Sequence, residues 1–146
     1  MTDTLSIRLA RETDTDACAD ILNEWIDARD WMPRIHTQQA VRDFYRDYVF
    51  PQRDLYVVGD PPVGFMALDP DDDCVTALYL AQTGRGLGKR FLEFAKTGRR
   101  VLRLWTFQAN TRARAFYQRE GFREERRTDG DNEEGLPDIL LRWDAA

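Results

Sequence analysis

Histidine and cysteine are scarce in this sequence, which argues against metal sites and disulfide bonds. The 146 residues contain one histidine and two cysteines, whereas zinc sites in proteins are built from several such ligands. Cys18 falls on the apolar stripe of a predicted helix, and Cys74 opens a predicted strand. We therefore interpret both cysteines as small apolar side chains rather than as a disulfide pair or a nucleophile, and we expect no metal.

An excess of positive charge and long apolar runs are also missing. The 21 Lys and Arg residues against 26 Asp and Glu residues give a net charge of -5, which argues against sequence-independent binding to nucleic acid. No stretch approaches the roughly 18 apolar residues that span a bilayer, and the start, MTDTLSIRLA, lacks the basic and apolar regions of a signal peptide. We expect a cytoplasmic protein with no nucleic-acid or membrane partner, whose acidic balance fits a small or cationic substrate.

Length and composition favour one domain over residues 1–146. A chain of this length buries roughly two thirds of its unfolded surface around one core. The sequence shows no internal repeat and no linker. Its predicted elements follow the order β α α β β β α β α β β, which indicates a mixed α/β fold.

The first part of the chain is predicted to form a strand and two helices. Alternation in LSIRLA, residues 5–10, predicts the strand. Apolar side chains spaced as on one helix face predict a helix that begins at a Thr13–Asp16 capping pair and runs to about Asp30. The same spacing recurs at Val41, Phe44, Tyr45, Tyr48 and Val49, and it predicts a second helix that is capped by Thr37 and ends near Phe50 and Pro51.

Extended segments dominate the rest of the chain. LYVV and VGFMAL predict two antiparallel strands joined by a tight turn. CVTALYL, residues 74–80, is mostly apolar and predicts a central strand that is buried on both faces. FREERR and PDILLRW predict a final hairpin around the polar loop TDGDNEEGL.

A glycine-rich loop follows the predicted central strand directly. LAQTGRGLGKRF, residues 80–91, places three glycines among three cationic side chains. Such a loop lets the backbone approach a ligand closely, and a phosphate is the usual one. A flexible turn is the alternative interpretation.

The spacing of this loop excludes two common phosphate-binding motifs. A P-loop requires glycine where Thr83 stands and a hydroxyl side chain where Arg90 stands. A dinucleotide fingerprint requires a longer gap than the one between Gly86 and Gly88, and it opens a βαβ unit that this loop does not open.

A second segment, NTRARAFYQREGF, predicts a helix with Asn110 as its N-cap and Gly121 at its end. Tyr117 lies near the apolar side of this helix, beside Phe116. Its position on the helix alone favours the interpretation of Tyr117 as a core residue.

Taken together, the two segments resemble the GNAT superfamily of N-acetyltransferases. Gly86 and Gly88 match the small residues of its pyrophosphate loop, with Thr83 standing where that family usually has Gln or Arg. The second segment matches the family pattern Asn-x-x-Ala-x-x-x-Tyr at Asn110, Ala113 and Tyr117. The resemblance implies a central, mostly antiparallel sheet whose central strands splay apart, flanked by helices, and it implies acetyl-CoA as acyl donor.

The resemblance also implies roles for particular residues. The backbone N–H near Leu80 would bond the acetyl carbonyl, and the Tyr117 hydroxyl would protonate the coenzyme sulfur, so these two residues are the predicted catalytic groups. The predicted acetyl-CoA site comprises Leu78, Leu80, Arg85, Gly86, Leu87, Gly88, Lys89, Arg90, Asn110 and Tyr117.

The general base is less well defined by the sequence. Asp73, at the start of the central strand, and His36, in the loop before the second helix, are candidates because the acceptor amine arrives protonated. Each also has a structural interpretation, since Asp73 belongs to a solvated turn and His36 to a supporting loop.

The acceptor is predicted to be a primary amine of a small molecule, peptide or protein. Its selection is expected from the loop WMPRIHT, with Trp31, Met32 and His36, and from the acidic loop between Asp129 and Asp138. The acidic loop has a second interpretation as a solvated hairpin tip. A non-catalytic acyl-CoA sensor is the alternative function, and the strand VLRLWTFQ or the final hairpin is the expected edge of any homodimer.

Overall fold

A computed structural model describes residues 6–146 and contains seven strands and five α-helices within that range. The predicted first strand therefore begins one residue outside the described part of the chain. The strands are β1 (Ile7–Leu9), β2 (Asp54–Gly59), β3 (Pro62–Asp69), β4 (Cys74–Leu80), β5 (Val101–Phe107), β6 (Arg123–Thr128) and β7 (Asp138–Asp144). The α-helices are α1 (Thr15–Asp27), α2 (Gln38–Phe44), α3 (Phe50–Gln52), α4 (Leu87–Lys96) and α5 (Thr111–Arg119).

All seven strands form one sheet in the order β1-β2-β3-β4-β5-β7-β6. Neighbours are antiparallel except for β4 and β5, which are parallel and pair at Cys74 with Arg103 and at Val75 with Leu104. Beyond these pairs the described strands diverge, and the sheet opens into a wedge. The predicted mixed fold with a mostly antiparallel sheet and splayed central strands is confirmed.

The wedge explains why the prediction of a fully buried β4 was wrong. Val75 is buried where β4 pairs with β5, whereas Thr76 is exposed and residues 77–80 are half-buried. An apolar run signals burial, but it does not show that the neighbouring strand turns away. The apolar side chains of β4 therefore form the wall of an opening.

Helices cover both faces of the sheet and divide the core into two clusters. Helices α4 and α5 pack on one face, where Phe91, Leu92 and Leu102 are fully buried. Helices α1 and α2 pack on the other face, with Cys18 and Phe65 fully buried. Burying each phenylalanine ring contributes about 2 kcal/mol to stability.

The two cysteines behave as apolar side chains. Both are free thiols, Cys18 buried and Cys74 half-buried. Burial raises the pKa of Cys18 to about 12 and that of Cys74 to about 11. Both thiols are therefore protonated and unreactive at neutral pH.

Helix α1 begins differently from the prediction. A 3₁₀ turn, Glu12–Asp14, precedes the helix, and the N-cap residue of α1 is the buried Asp14, whose side chain makes no capping bond to the helix. The Asp14 carboxylate instead accepts hydrogen bonds from the Arg8 side chain at 2.8 Å and, closing the 3₁₀ turn, from the Arg11 N–H at 2.8 Å. The bond from Arg8 lowers the pKa of Asp14 below its ordinary value. The predicted Thr13–Asp16 cap was wrong because Thr13 lies inside the 3₁₀ turn and not at the start of α1.

The second predicted helix is not one continuous α-helix. Thr37 caps it as predicted, accepting from the Ala40 N–H at 3.0 Å. A π-helical turn, Tyr45–Val49, then separates α2 from α3 and keeps Tyr45 and Val49 buried. Phe44 and Tyr48, predicted on the apolar stripe, are instead exposed and stack at 5.1 Å.

The sheet has one of the two edges considered for a homodimer. Strand β5 lies between β4 and β7, so it is not an outer edge of the sheet as predicted, and only its diverging part inside the wedge is unpaired on the β4 side. Strand β6 is the edge at the hairpin side, and its side chains are exposed and mostly charged. No helix in residues 6–146 has the length and apolar character needed to cross a bilayer.

Candidate active site

The wedge between β4 and β5 widens into a cleft of about 640 Å³. Its walls come from β4, β5, the start of α4, helix α5 and the segment that follows α1. The cleft brings together most of the residues predicted from the sequence, namely Leu78, Leu80, Gly86, Leu87, Gly88, Lys89, Asn110 and Tyr117.

The start of α4 presents unpaired backbone donors to this cleft. Gly86 is the N-cap residue, has a φ of 70° and supplies no capping side chain. The first N–H groups of a helix have no partner within the helix and carry about half a positive charge together. A Cβ atom on Gly86 would meet no atom within 4 Å. The helix start therefore fits a phosphate group without displacing protein atoms.

Gly88 is small for a different reason. A Cβ atom there would lie 3.0 Å from the Phe116 ring and 3.6 Å from a Leu80 methyl group. Gly88 thus lets α4 pack closely against α5 and β4. Of the two predicted glycines, Gly86 leaves open space for a ligand and Gly88 joins the elements that surround it.

The backbone of β4 contributes donors along the opening. The Ala81 N–H donates to the Val63 carbonyl at 2.8 Å, toward β3. Successive N–H groups of a strand point to opposite sides, so those of Leu80 and Leu78 point toward β5. Because β5 has already diverged there, these two N–H groups face the cleft.

Tyr117 extends from α5 into the cleft wall. Its ring packs against Phe116 at 5.3 Å and Phe122 at 5.8 Å between centroids. Burial, with a smaller effect from Tyr79, raises the pKa of the Tyr117 phenol well above its ordinary value near 10. Tyr117 is therefore a neutral hydrogen-bond donor over the whole physiological pH range.

Two of the predicted cations lie outside the cleft. Arg85 donates to the Gln82 side chain at 2.6 Å in the loop, and Arg90 is absent from the lining residues. Besides Lys89, α5 places Arg112 and Arg119 in the lining. Sequence reasoning missed both arginines, although their spacing of seven residues on a helix puts them on one face.

Aromatic rings form the wall on the α1 side of the cleft. The Trp25 ring lies 5.2 Å from Tyr79 and 5.8 Å from Trp31, which in turn lies 5.9 Å from Phe107. Trp31 was predicted for the acceptor site and lines the cleft, whereas Met32 does not. Trp25, Tyr79 and Phe107 were missed because their apolar spacing looks like that of core residues.

Neither predicted base reaches the cleft. Asp73 lies where β4 and β5 are still paired, and its carboxylate accepts from Arg99 at 3.1 Å. His36 contacts Glu133 of the acidic loop, and both side chains are about half exposed. The two predicted acceptor loops do meet through this contact, but neither His36 nor Asp73 lines the opening.

A sheet splayed beside an uncapped helix start, with strand N–H groups directed into the gap, defines the acyl-CoA N-acyltransferase fold. The family model described as Acetyltransferase (GNAT) domain matches residues 51–124. This match covers half of the sequence, and the chain belongs to the GNAT family. It is an acetyl-CoA-dependent N-acetyltransferase that acts on an amine acceptor.

Solved structures show the same fold. Apo-form YjaB from Escherichia coli is 25% identical, with a TM-score of 0.77 over 100% of both chains. The ribosomal-protein-alanine N-acetyltransferase from Brucella melitensis is 17% identical, with a TM-score of 0.70 over 97% of this chain and 100% of its own. The structure of yncA from Salmonella typhimurium with its cofactor acetyl-CoA is 18% identical, with a TM-score of 0.69 over 97% and 96%. The comparison with curated protein sequences gave no match.

Proposed function

We propose that residues 1–146 form a single acetyltransferase domain whose wedge binds acetyl-CoA with the pyrophosphate at the start of α4. The N–H groups of Gly86, Leu87, Gly88 and Lys89 would hold the phosphate oxygens. The open space above Gly86 and the cations of Lys89, Arg112 and Arg119 in the cleft lining support this placement. Asn110 fixes the start of the opposing helix, accepting from the Ala113 N–H at 3.2 Å.

The backbone of β4 is proposed to orient the donor. The Leu80 N–H would donate to the acetyl carbonyl. The Leu78 N–H, two residues earlier on β4, would donate to the pantetheine arm. A donor fixed by the sheet is preorganised, which is the condition for stabilising charge that develops on a carbonyl oxygen.

Tyr117 is proposed as the proton donor. Bound acetyl-CoA supplies the acetyl group as a thioester and leaves as a thiol, which requires one proton. Tyr117 stands in the cleft wall as a neutral phenol with a raised pKa. Its role is to hold a proton at its hydroxyl oxygen beside the position of the sulfur and to release it as the thiol departs.

The acceptor is proposed to be a primary amine of a small molecule, peptide or protein that enters beside the aromatic wall. Trp25, Trp31 and Tyr79 lie on the sheet face of α1, opposite the face of α4 and α5. Donor and acceptor then meet in the gap between β4 and β5. The acceptor must be neutral to react, and the cleft lies open to the solvent that receives its proton.

The divergence of β4 from β5 beside an uncapped helix start supports this function best. We would test it with thiol release from acetyl-CoA over a panel of amines, beside calorimetry of acetyl-CoA binding. Binding together with amine-dependent thiol release is the expected result. Binding without thiol release for any amine would contradict the proposed catalytic role.

A further inference from the structure

A second cavity adjoins the catalytic cleft. Its volume is about 400 Å³, and it shares Trp105, Thr106 and Phe107 of β5 with the cleft. The remaining lining residues are Arg126, Thr128, Asp131, Asn132, Glu134 and Asp138. We refer to this space as the second cavity.

The second cavity lies on the face of the sheet where the acceptor is proposed to enter. Phe107 faces Trp31 on this side, and the Trp105 ring is exposed to 41%. Helices α1 and α2 pack over β2 and β3, so their cluster stops short of β5. The acidic loop between β6 and β7 forms the other side of the second cavity.

The charges in the second cavity favour a cation. Three carboxylates and one guanidinium line it, and the guanidinium of Arg126 already lies 5.3 Å from the Trp105 ring. The Asp138 carboxylate is buried and accepts hydrogen bonds from Thr128 and, at 3.0 Å, from Asn132. These bonds make Asp138 part of the loop structure.

Glu134 differs from the other acidic residues of its loop. It is half-buried, and among the described residues no hydrogen bond or ion pair engages its carboxylate. The neighbouring Glu133 is engaged by His36. Burial raises the pKa of Tyr79 to about 12, and the Glu134 charge adds to the rise while Arg29 opposes it. The Glu134 charge therefore acts at the aromatic wall of the cleft.

Resting on the proposed function, we propose that the acceptor has a second cationic group besides its reacting amine and that Glu134 binds this group in the second cavity. The acceptor class is then a diamine or a comparable dication. A half-buried carboxylate without a partner gains a charge-assisted bond from an ammonium group, and the Phe107 ring provides a further favourable surface for it.

Matched amines test this inference directly. The probes are α,ω-diamines of two to six carbons and the alkylamine of equal carbon number for each. We expect kcat/KM, corrected for the fraction of neutral amine, to be at least about tenfold higher for the best diamine than for its alkylamine, because only the diamine offers a second ammonium group for a charge-assisted hydrogen bond to the half-buried Glu134. Glu134→Gln should lower this ratio at least about fivefold.

Asp129→Asn is the matched control, because it removes one charge from the same loop outside the second cavity. The ratio of kcat/KM for the diamine to kcat/KM for the alkylamine should be the same in this variant as in the parent enzyme. Diamine binding in the absence of acetyl-CoA, monitored by tryptophan fluorescence, gives a readout that does not depend on turnover. This binding should weaken in Glu134→Gln and not in Asp129→Asn.

Thiol release with equal rates for diamine and alkylamine would overturn the inference and leave the proposed function standing. Diamine binding that depends on Glu134 but is not accompanied by thiol release would overturn the proposed function and leave only the diamine site standing. Absence of both diamine binding and thiol release would overturn the inference and the proposed function.

Discussion

The two sides of the wedge present different kinds of chemical groups to the cleft. On the side of α4 and α5, the groups that face the cleft are mostly backbone N–H groups of the helix start and of β4, with a few cations around them. On the side of α1, they are the rings of Trp25, Trp31 and Tyr79, with the carboxylate of Glu134 nearby.

Because the two sides differ in this way, the sequence indicates the acetyl donor more clearly than the acceptor. A backbone site needs small residues at fixed spacing, so it leaves a short motif around Gly86. A side-chain site is assembled from segments far apart in the sequence, here α1, β4, β5 and the acidic loop. The donor is common to the family, whereas we propose that the choice of acceptor depends on those separate segments.

The largest expected effect is on the donor side, at Tyr117. Tyr117→Phe keeps the ring packing against Phe116 and Phe122 but removes the hydroxyl group that we propose as the proton donor. We expect kcat to fall roughly a hundredfold while acetyl-CoA affinity changes little. Stopped-flow or steady-state thiol release under chemistry-limited conditions measures this.

Tyr48→Phe is the control for that experiment, because Tyr48 is exposed on the π-helical turn away from the cleft. It should behave like the parent. A Tyr117→Phe enzyme within about twofold of the parent would show that Tyr117 is a packing residue.

The next effect concerns the helix start. Gly86→Asn places a side chain in the open space above the N-cap, and asparagine tolerates a positive φ better than other residues do. We expect acetyl-CoA affinity to fall at least about tenfold, or about 1.4 kcal/mol. Calorimetry measures the acetyl-CoA affinity.

Gly98→Asn is the matched control for Gly86→Asn. Gly98 also has a positive φ, and a Cβ there would meet no atom within 4 Å, but Gly98 lies beyond the other end of α4. Equal binding by both variants would refute the placement of the pyrophosphate.

Trp31→Ala tests the acceptor side. Loss of this ring should raise the KM for the acceptor about fivefold, as expected for an aromatic contact of about 1 kcal/mol. Acetyl-CoA affinity should stay unchanged, because Trp31 lies on the opposite face of the sheet from α4. Parallel changes in both constants would remove the distinction between the two sides.

Salt dependence separates the cations of the loop. Lys89→Gln should weaken acetyl-CoA binding about threefold at low ionic strength and less at high salt, because exposed charges are screened. Arg85→Gln should have no comparable effect, since Arg85 is engaged by Gln82 outside the cleft. Titrations at several salt concentrations provide the comparison, and a larger effect for Arg85 would assign the donor's phosphates to the loop instead.

The smallest effect is expected from pH. The raised pKa of Tyr117 means that the phenol stays protonated when the pH passes the ordinary value for tyrosine. The rate should therefore keep rising up to about pH 10 as the acceptor amine loses its proton, with no fall from deprotonation of Tyr117, in a pH–rate profile of thiol release. A fall between about pH 8 and 10 would indicate that a group other than Tyr117 supplies the proton.

The sequence predicted the parts of this protein that depend on local spacing. The element order and the Thr37 and Asn110 caps are confirmed, and eight predicted site residues share one cleft. The splayed sheet, which the resemblance to the family implied, is confirmed as well. The apolar run of β4 by itself predicted burial on both faces, because it does not show where β5 turns away. The 3₁₀ turn before α1 depends on Asp14, which Arg8 of β1 engages, and Asp73 is engaged by Arg99, twenty-six residues away. The individual roles in binding and catalysis remain predictions that the variants above test.

The wedge also affects how the protein avoids aggregation. The outer strand β6 is exposed and charged, which discourages other chains from extending the sheet there. The diverging parts of β4 and β5 are two further edges inside the sheet, and the N–H groups of Leu78 and Leu80 lie on one of them. An extended peptide from another molecule would use the same groups that we propose for the pantetheine arm. A donor bound in that way would shield this inner edge of the sheet from strand addition.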